Sequence, residues 1–88
     1  MKSGDLVIAK GSHGVYVYQY DDGGFWVWNG TIASAFQLHV YLSKVPHVKN
    51  GRLSYFLSTV DLKVRACREY AFVKIEPGRC RLSDSSFS

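Results

Sequence analysis

From Val15 to Trp28 the chain sets Tyr16, Tyr18 and Tyr20 before the turn Asp21-Asp22-Gly23-Gly24, and Phe25, Trp26 and Trp28 after it. A strand with one buried face alternates apolar with polar residues, and these two arms barely alternate. They must therefore find cover on both sides, which limits the folds open to the chain. An even-length turn centred on Asp22-Gly23 pairs Tyr20 with Phe25 and Tyr18 with Val27. Tyr16, Tyr18, Tyr20, Phe25 and Val27 then share one face. Val15, Val17, Gln19, Trp26 and Trp28 share the other, and neither face is polar enough for plain solvent surface.

The rest of the chain keeps the period of two. Leu6 and Ile8 mark a first short strand ended by Gly11-Ser12-His13-Gly14, and Asn29-Gly30 breaks the chain after the hairpin. In the run from Phe36 to Ser43, Phe36, Leu38, Val40 and Leu42 fall on one face. Gln37, His39, Tyr41 and Ser43 fall on the other, so the first set is expected inward. A helical turn near 31–36, with Thr31 as N-cap, is the alternative for the stretch before it. Pro46 cannot donate to a ladder and marks an edge or bulge. Asn50-Gly51 signals a two-residue hairpin turn, leading into the alternating run Leu53–Val60. Residues 62–66 and 70–75 alternate again around a turn at 66–69, and Glu76-Pro77-Gly78 ends the last strand.

Five or six short strands in 88 residues imply an all-β fold, an antiparallel sheet rolled into a small barrel over residues 1–81, with a C-terminal tail at 82–88. The opening stretch Gly4-Asp5-Leu6-Val7-Ile8-Ala9-Lys10, followed by an aromatic hairpin, resembles the start of SH3-like barrels. That resemblance covers about 30 residues and bears on fold alone, since such barrels carry many unrelated functions.

No apolar run approaches the roughly 18 residues of a membrane span, and no secretory signal is visible, so a cytoplasmic location is expected. Cys67 and Cys80 are read as free thiols in that compartment. Asn29-Gly30-Thr31 fits a glycosylation sequon and is read as a turn. No phosphate loop, nucleophile elbow or metal-ligand spacing occurs, and the histidines His13, His39 and His47 are scattered. No catalytic residue, metal or cofactor is expected. Arg65 and Arg68 near Cys67 favour a thiolate, which makes an enzyme using Cys67 the most distant reading.

Two surfaces can bind. The first is the aromatic hairpin, whose Tyr16, Tyr18, Tyr20, Trp26 and Trp28 suit a protein interface because such rings bury a large area and keep a polar handle. Arg52, Arg65 and Arg68 would form its rim against an acidic partner. The second reflects a charge asymmetry: residues 1–43 carry two basic and three acidic side chains, whereas 44–88 carry nine and four. A hairpin over 62–75 would place Lys63 and Arg65 beside Tyr70, Phe72 and Lys74, with Arg68, Arg79 and Arg81 nearby. Cations interleaved with rings suit single-stranded nucleic acid. The expectation is a non-enzymatic module that docks on a protein, of adaptor or inhibitor type and compatible with self-association. Nucleic-acid binding is the alternative, and no membrane partner is expected.

Overall fold

The computed structural model describes residues 1–75. Seven strands alternate with short connections: β1 (Leu6–Ala9), β2 (Val15–Tyr20), β3 (Trp26–Ala33), β4 (His39–Lys44), β5 (Leu53–Ser58), β6 (Val64–Arg68) and β7 (Phe72–Lys74). The only helical element among the described residues is a 3-10 turn at Glu69–Ala71. The strands form one antiparallel sheet in the order β3-β2-β6-β5-β4-β1-β7, curled into a half-barrel with β3 and β7 at its edges. The all-β expectation holds, with one strand more than the five or six foreseen. No helix among the described residues is long and apolar enough to cross a membrane.

The inner layer is one cluster of Val7, Val15, Val17, Ala33, Tyr41, Phe56, Cys67 and Phe72. Phe56 sits at its centre, edge-on to Tyr41 at 5.6 Å and tilted against Phe72 at 4.2 Å. Ala33 from one sheet edge and Phe72 from the other belong to the same cluster, so the curl carries both edges toward a common interior.

Local expectations change at several places along the chain, each for a physical reason. The aromatic hairpin has an odd loop rather than an even one. The Asp21 amide donates to the Phe25 carbonyl at 2.7 Å, leaving three loop residues. Asp21 Oδ1 accepts from the Gly23 and Phe25 amides, and Gly24 takes φ +89°, which suits a glycine. Tyr20 therefore pairs with Trp26 and Tyr18 with Trp28, one residue away from the even-turn register. That slip moves both tryptophans onto the tyrosine face.

Asn29-Gly30-Thr31 does not end the strand. It is a bulge inside β3, across which the pairing steps from Tyr18↔Trp28 to Tyr16↔Ile32. Asn29 Oδ1 accepts from the amide and hydroxyl of Thr31, and Gly30 takes φ +89°. Strand β3 runs on to Ala33 and only a turn follows, the Gln37 amide donating to Ser34 O, so no helix forms over 31–36.

Strand β4 shows the opposite face to the one expected. His39 and Tyr41 point inward while Phe36 lies in the turn, exposed. The register with β5 decides this: bulky His39 lies opposite small Ser58, and Tyr41 opposite Phe56. Because both faces of this sheet are largely apolar, period two alone cannot choose between them.

The last change concerns residues 62–75. Strand β6 pairs with β5 and β2, whereas β7 pairs with β1 at the far edge, so the two are not neighbours. The 3-10 turn carries the chain from one to the other.

Candidate functional site

The register places Tyr16, Tyr18, Tyr20, Trp26 and Trp28 on one outer face, and cross-strand pairing adds Ile32. The bridge Tyr18↔Ala66 and the pair Tyr55↔Ala66 continue that face across β6 onto β5. Its two halves differ in what lies over them.

One half is covered by residues 45–52, the connection between β4 and β5. Asn50-Gly51 was expected to make a tight turn there; instead the segment is a strap, with Pro46 clear of the ladder. Val45 of the strap is buried together with Leu53 and Ala66, packed with Tyr18, Trp26, Val48 and Tyr55. Trp26 stands edge-on to Tyr20 at 5.6 Å and to Tyr55 at 6.4 Å. The Asn50 side chain closes the strap onto the outer edge of β3: its Nδ2 donates to Trp26 O at 2.7 Å and its Oδ1 accepts from Trp26 N at 3.2 Å. Lys49 Nζ lies 5.6 Å from the Phe25 ring, and the Arg68 guanidinium covers Tyr18 at 4.8 Å while donating to Asn50 O. Gly51 takes φ +120°, which favours glycine, and a Cβ there would collide with the Arg68 guanidinium.

The other half is open. Tyr16, Trp28, Ile32 and Val64 are each about half exposed. Tyr16 and Trp28 meet edge-to-face at 5.3 Å. Trp28 Nε1 donates to Thr31 O at 2.7 Å, so the ring's single polar group is used within its own strand and its exposed surface is apolar. Beside these rings lies a groove of about 380 Å³ lined by Tyr18, Ala66, Ile32 and Val64, with Asn29, Thr31, Lys63 and Arg65 also in its wall. Lys63 makes no ion pair among the described residues, while Arg65 is held by Asp61 at 2.6 and 3.2 Å. That guanidinium holds the Asp61 carboxyl well below the usual carboxylate range. Of the rim arginines expected, Arg65 and Arg68 thus have internal partners and Arg52 is exposed.

The cation-and-ring surface expected over 62–75 is not assembled. Lys63, Arg65 and Arg68 belong to the β6 region; Phe72 and Lys74 lie on β7, with three strands in between. Phe72 is buried against Phe56, Lys74 lies 3.8 Å from the Asp5 carboxylate, and Tyr70 is exposed on the 3-10 turn. Arg79 and Arg81, like the tail 82–88 and Cys80, fall outside the described residues.

Cys67 is a free, fully buried thiol, pushed up to about 12 by burial, with Arg65 pulling only weakly the other way. The expected activation by neighbouring arginines is outweighed by desolvation. His39 is likewise enclosed, edge-on to Phe72 at 5.3 Å, with Nδ1 3.1 Å from Gln37 O and Nε2 without a protein partner. Burial lowers its pKa. Among the described residues no group of three His, Cys, Asp or Glu side chains is placed to hold a metal ion.

Sequence reasoning missed Ile32, Val64 and Asn50. Ile32 was hidden because the bulge read as a break. Val64 needed the β2–β6 bridge to reach the aromatic face, and Asn50 read as turn chemistry when its side chain serves as a clasp. No protein-family model matches this chain, and no curated protein or solved structure matches it.

Proposed function

We propose that the protein is a non-catalytic binding module that docks on a protein partner through the open half of its outer face, with Trp28 and Tyr16 as anchors. The observation that carries this reading is the contiguity of four half-exposed apolar side chains, Tyr16, Trp28, Ile32 and Val64, beside a groove. Contiguous apolar patches of this kind mark interaction sites, and a Trp whose N–H is already satisfied gains most by being covered. Lys63 at the groove suits a carboxylate on the partner. Burial keeps Cys67 in its thiol form, which supports a binding role over a nucleophilic one at that residue.

The test is capture of a partner from nuclease-treated native lysate by the parent chain and by Trp28→Asp, with Tyr70→Asp as a surface control. Trp28→Asp should keep the parent's near-UV circular dichroism shape and weaken capture by about 2 kcal/mol or more, roughly thirtyfold, while Tyr70→Asp captures normally. Capture that survives Trp28→Asp, or that disappears with nuclease, overturns the reading.

A further inference from the structure

Among the described residues, the most exposed large apolar side chain lies at the end of the sheet rather than on its faces. Phe36, in the β3–β4 turn, is 81% exposed; Val60 and Leu62, in the β5–β6 turn, are 72% and 74% exposed. Phe36 and Val60 line one hollow together with Ser34 and Gln37, so the two turns stand side by side.

These are not loose loops. Thr59 donates its amide and hydroxyl to Leu38 O, both at 3.0 Å, and Gln37 Nε2 donates to Ser58 Oγ, stitching one turn to the other. Ser58 Oγ also accepts from the amides of Val60 and Asp61. The Leu62 amide donates to Ser58 O, and the Ser58 amide to Lys63 O. Within this frame Leu62 is held at φ +57°, the left-handed region that a leucine adopts only under strain. An asparagine or glycine would sit there more easily. Strain that holds an apolar side chain out in water points to a use for that side chain.

The charges beside the tip narrow the partner. Asp61 is the only carboxylate in the two turns, and the Arg65 guanidinium occupies both its oxygens. Lys63, next to Leu62, makes no ion pair among the described residues. Among the described residues the tip thus offers three protruding apolar groups, one cation without an ion pair and no carboxylate without one. A protein partner would need a concave surface shaped to fit these projections. A bilayer interface needs no such shape: it admits apolar side chains between headgroups, and anionic lipid attracts the lysine.

We infer that this tip is a membrane-surface contact, in which Phe36, Val60 and Leu62 enter the interface of an anionic bilayer while Lys63 meets the headgroups. None of the three apolar residues belongs to the docking face proposed above; Lys63 lines the groove of that face as well, so Phe36→Asp and Leu62→Asn, rather than Lys63→Gln, separate the two readings.

The probe is co-sedimentation of the full chain with phosphatidylcholine vesicles, with and without one-third phosphatidylglycerol, at low and physiological salt. The parent should sediment with the anionic vesicles, and Lys63→Gln should bind them about fivefold more weakly. Leu62→Asn should melt at a higher temperature than the parent, because it relieves the left-handed strain, yet bind at least fivefold more weakly. Phe36→Asp should release the vesicles without loss of the folded circular dichroism spectrum. Failure of the parent to sediment with anionic vesicles at low salt overturns the inference. So does unchanged binding by both Leu62→Asn and Phe36→Asp, because binding would then owe nothing to the tip.

Discussion

Trp26 and Trp28 lie two residues apart on the same strand and the same face, yet they live in different surroundings. Trp26 has the rings of Tyr20 and Tyr55 beside it, the strap over it, and its backbone clasped by Asn50. Trp28 has Tyr16 beside it and spends its N–H on Thr31 O, leaving an apolar ring facing outward. The strand does not distinguish the two. The difference comes from a connection some twenty residues later in the chain, which folds back over one half of the face and stops short of the other. The same aromatic composition thus supplies a second core on one side and an exposed apolar surface on the other.

The largest test of that contrast is a pair of truncations. Trp26→Ala removes a partly buried ring from a packed cluster and should cost about 2–3 kcal/mol in urea unfolding. Trp28→Ala removes a half-exposed ring with one aromatic neighbour and should cost under about 1 kcal/mol. Equal costs would mean that the strap packs no better over its half than water does over the other.

Acid offers a control that acts on the inner layer and touches neither tryptophan. His39 is fully buried, and its pKa is lowered chiefly by desolvation, with Arg65 lowering it further and the Gln37 carbonyl and Asp61 opposing. The unfolded chain therefore takes up the proton more readily than the folded one. Stability should be complete above about pH 6.5 and fall as the pH drops from there toward the depressed folded value, by at most about 1.4 kcal/mol per pH unit. Urea melts at pH 5, 6, 7 and 8 measure this slope. His39→Phe should flatten it whatever the variant's absolute stability; an unchanged slope would assign the acid sensitivity to another group.

Much of this was legible in the chain itself, in unequal measure. Period two is a local property, so the strands and their all-β character could be read directly, and the five hairpin aromatics named as a site do share one face. The arithmetic that should have put them there was off by one, because the Asp21 side chain closes a three-residue loop that the Asp-Asp-Gly-Gly string does not announce. The inversion of β4 was not legible at all: Phe36, Leu38, Val40 and Leu42 look more apolar than Gln37, His39, Tyr41 and Ser43. Only the cross-strand fit of His39 with Ser58 reverses the choice. The strap was hidden for a similar reason. Asn50-Gly51 carries strong turn chemistry, and nothing local tells that the Asn50 amide will reach a strand edge 24 residues earlier.

That clasp gives the finest test of the two-halves contrast. Asn50→Ala removes two hydrogen bonds to the backbone of Trp26 and should cost about 1 kcal/mol, since each is partly replaced by water. It should also raise acrylamide quenching of tryptophan fluorescence, because Trp26 comes to resemble Trp28. A double-mutant cycle with Trp26→Ala then separates clasp from cover. Asn50 binds main-chain groups that Trp26→Ala leaves in place, so any coupling between the two positions reports the strap lying on the ring rather than the hydrogen bonds themselves. A coupling of about 0.5–1 kcal/mol, with Trp26→Ala costing less once the clasp is gone, is the expected result. Strict additivity would mean that the strap stays seated without Asn50. In that case the packing of Val45 and Val48, rather than the clasp, separates the buried half of the face from the open one.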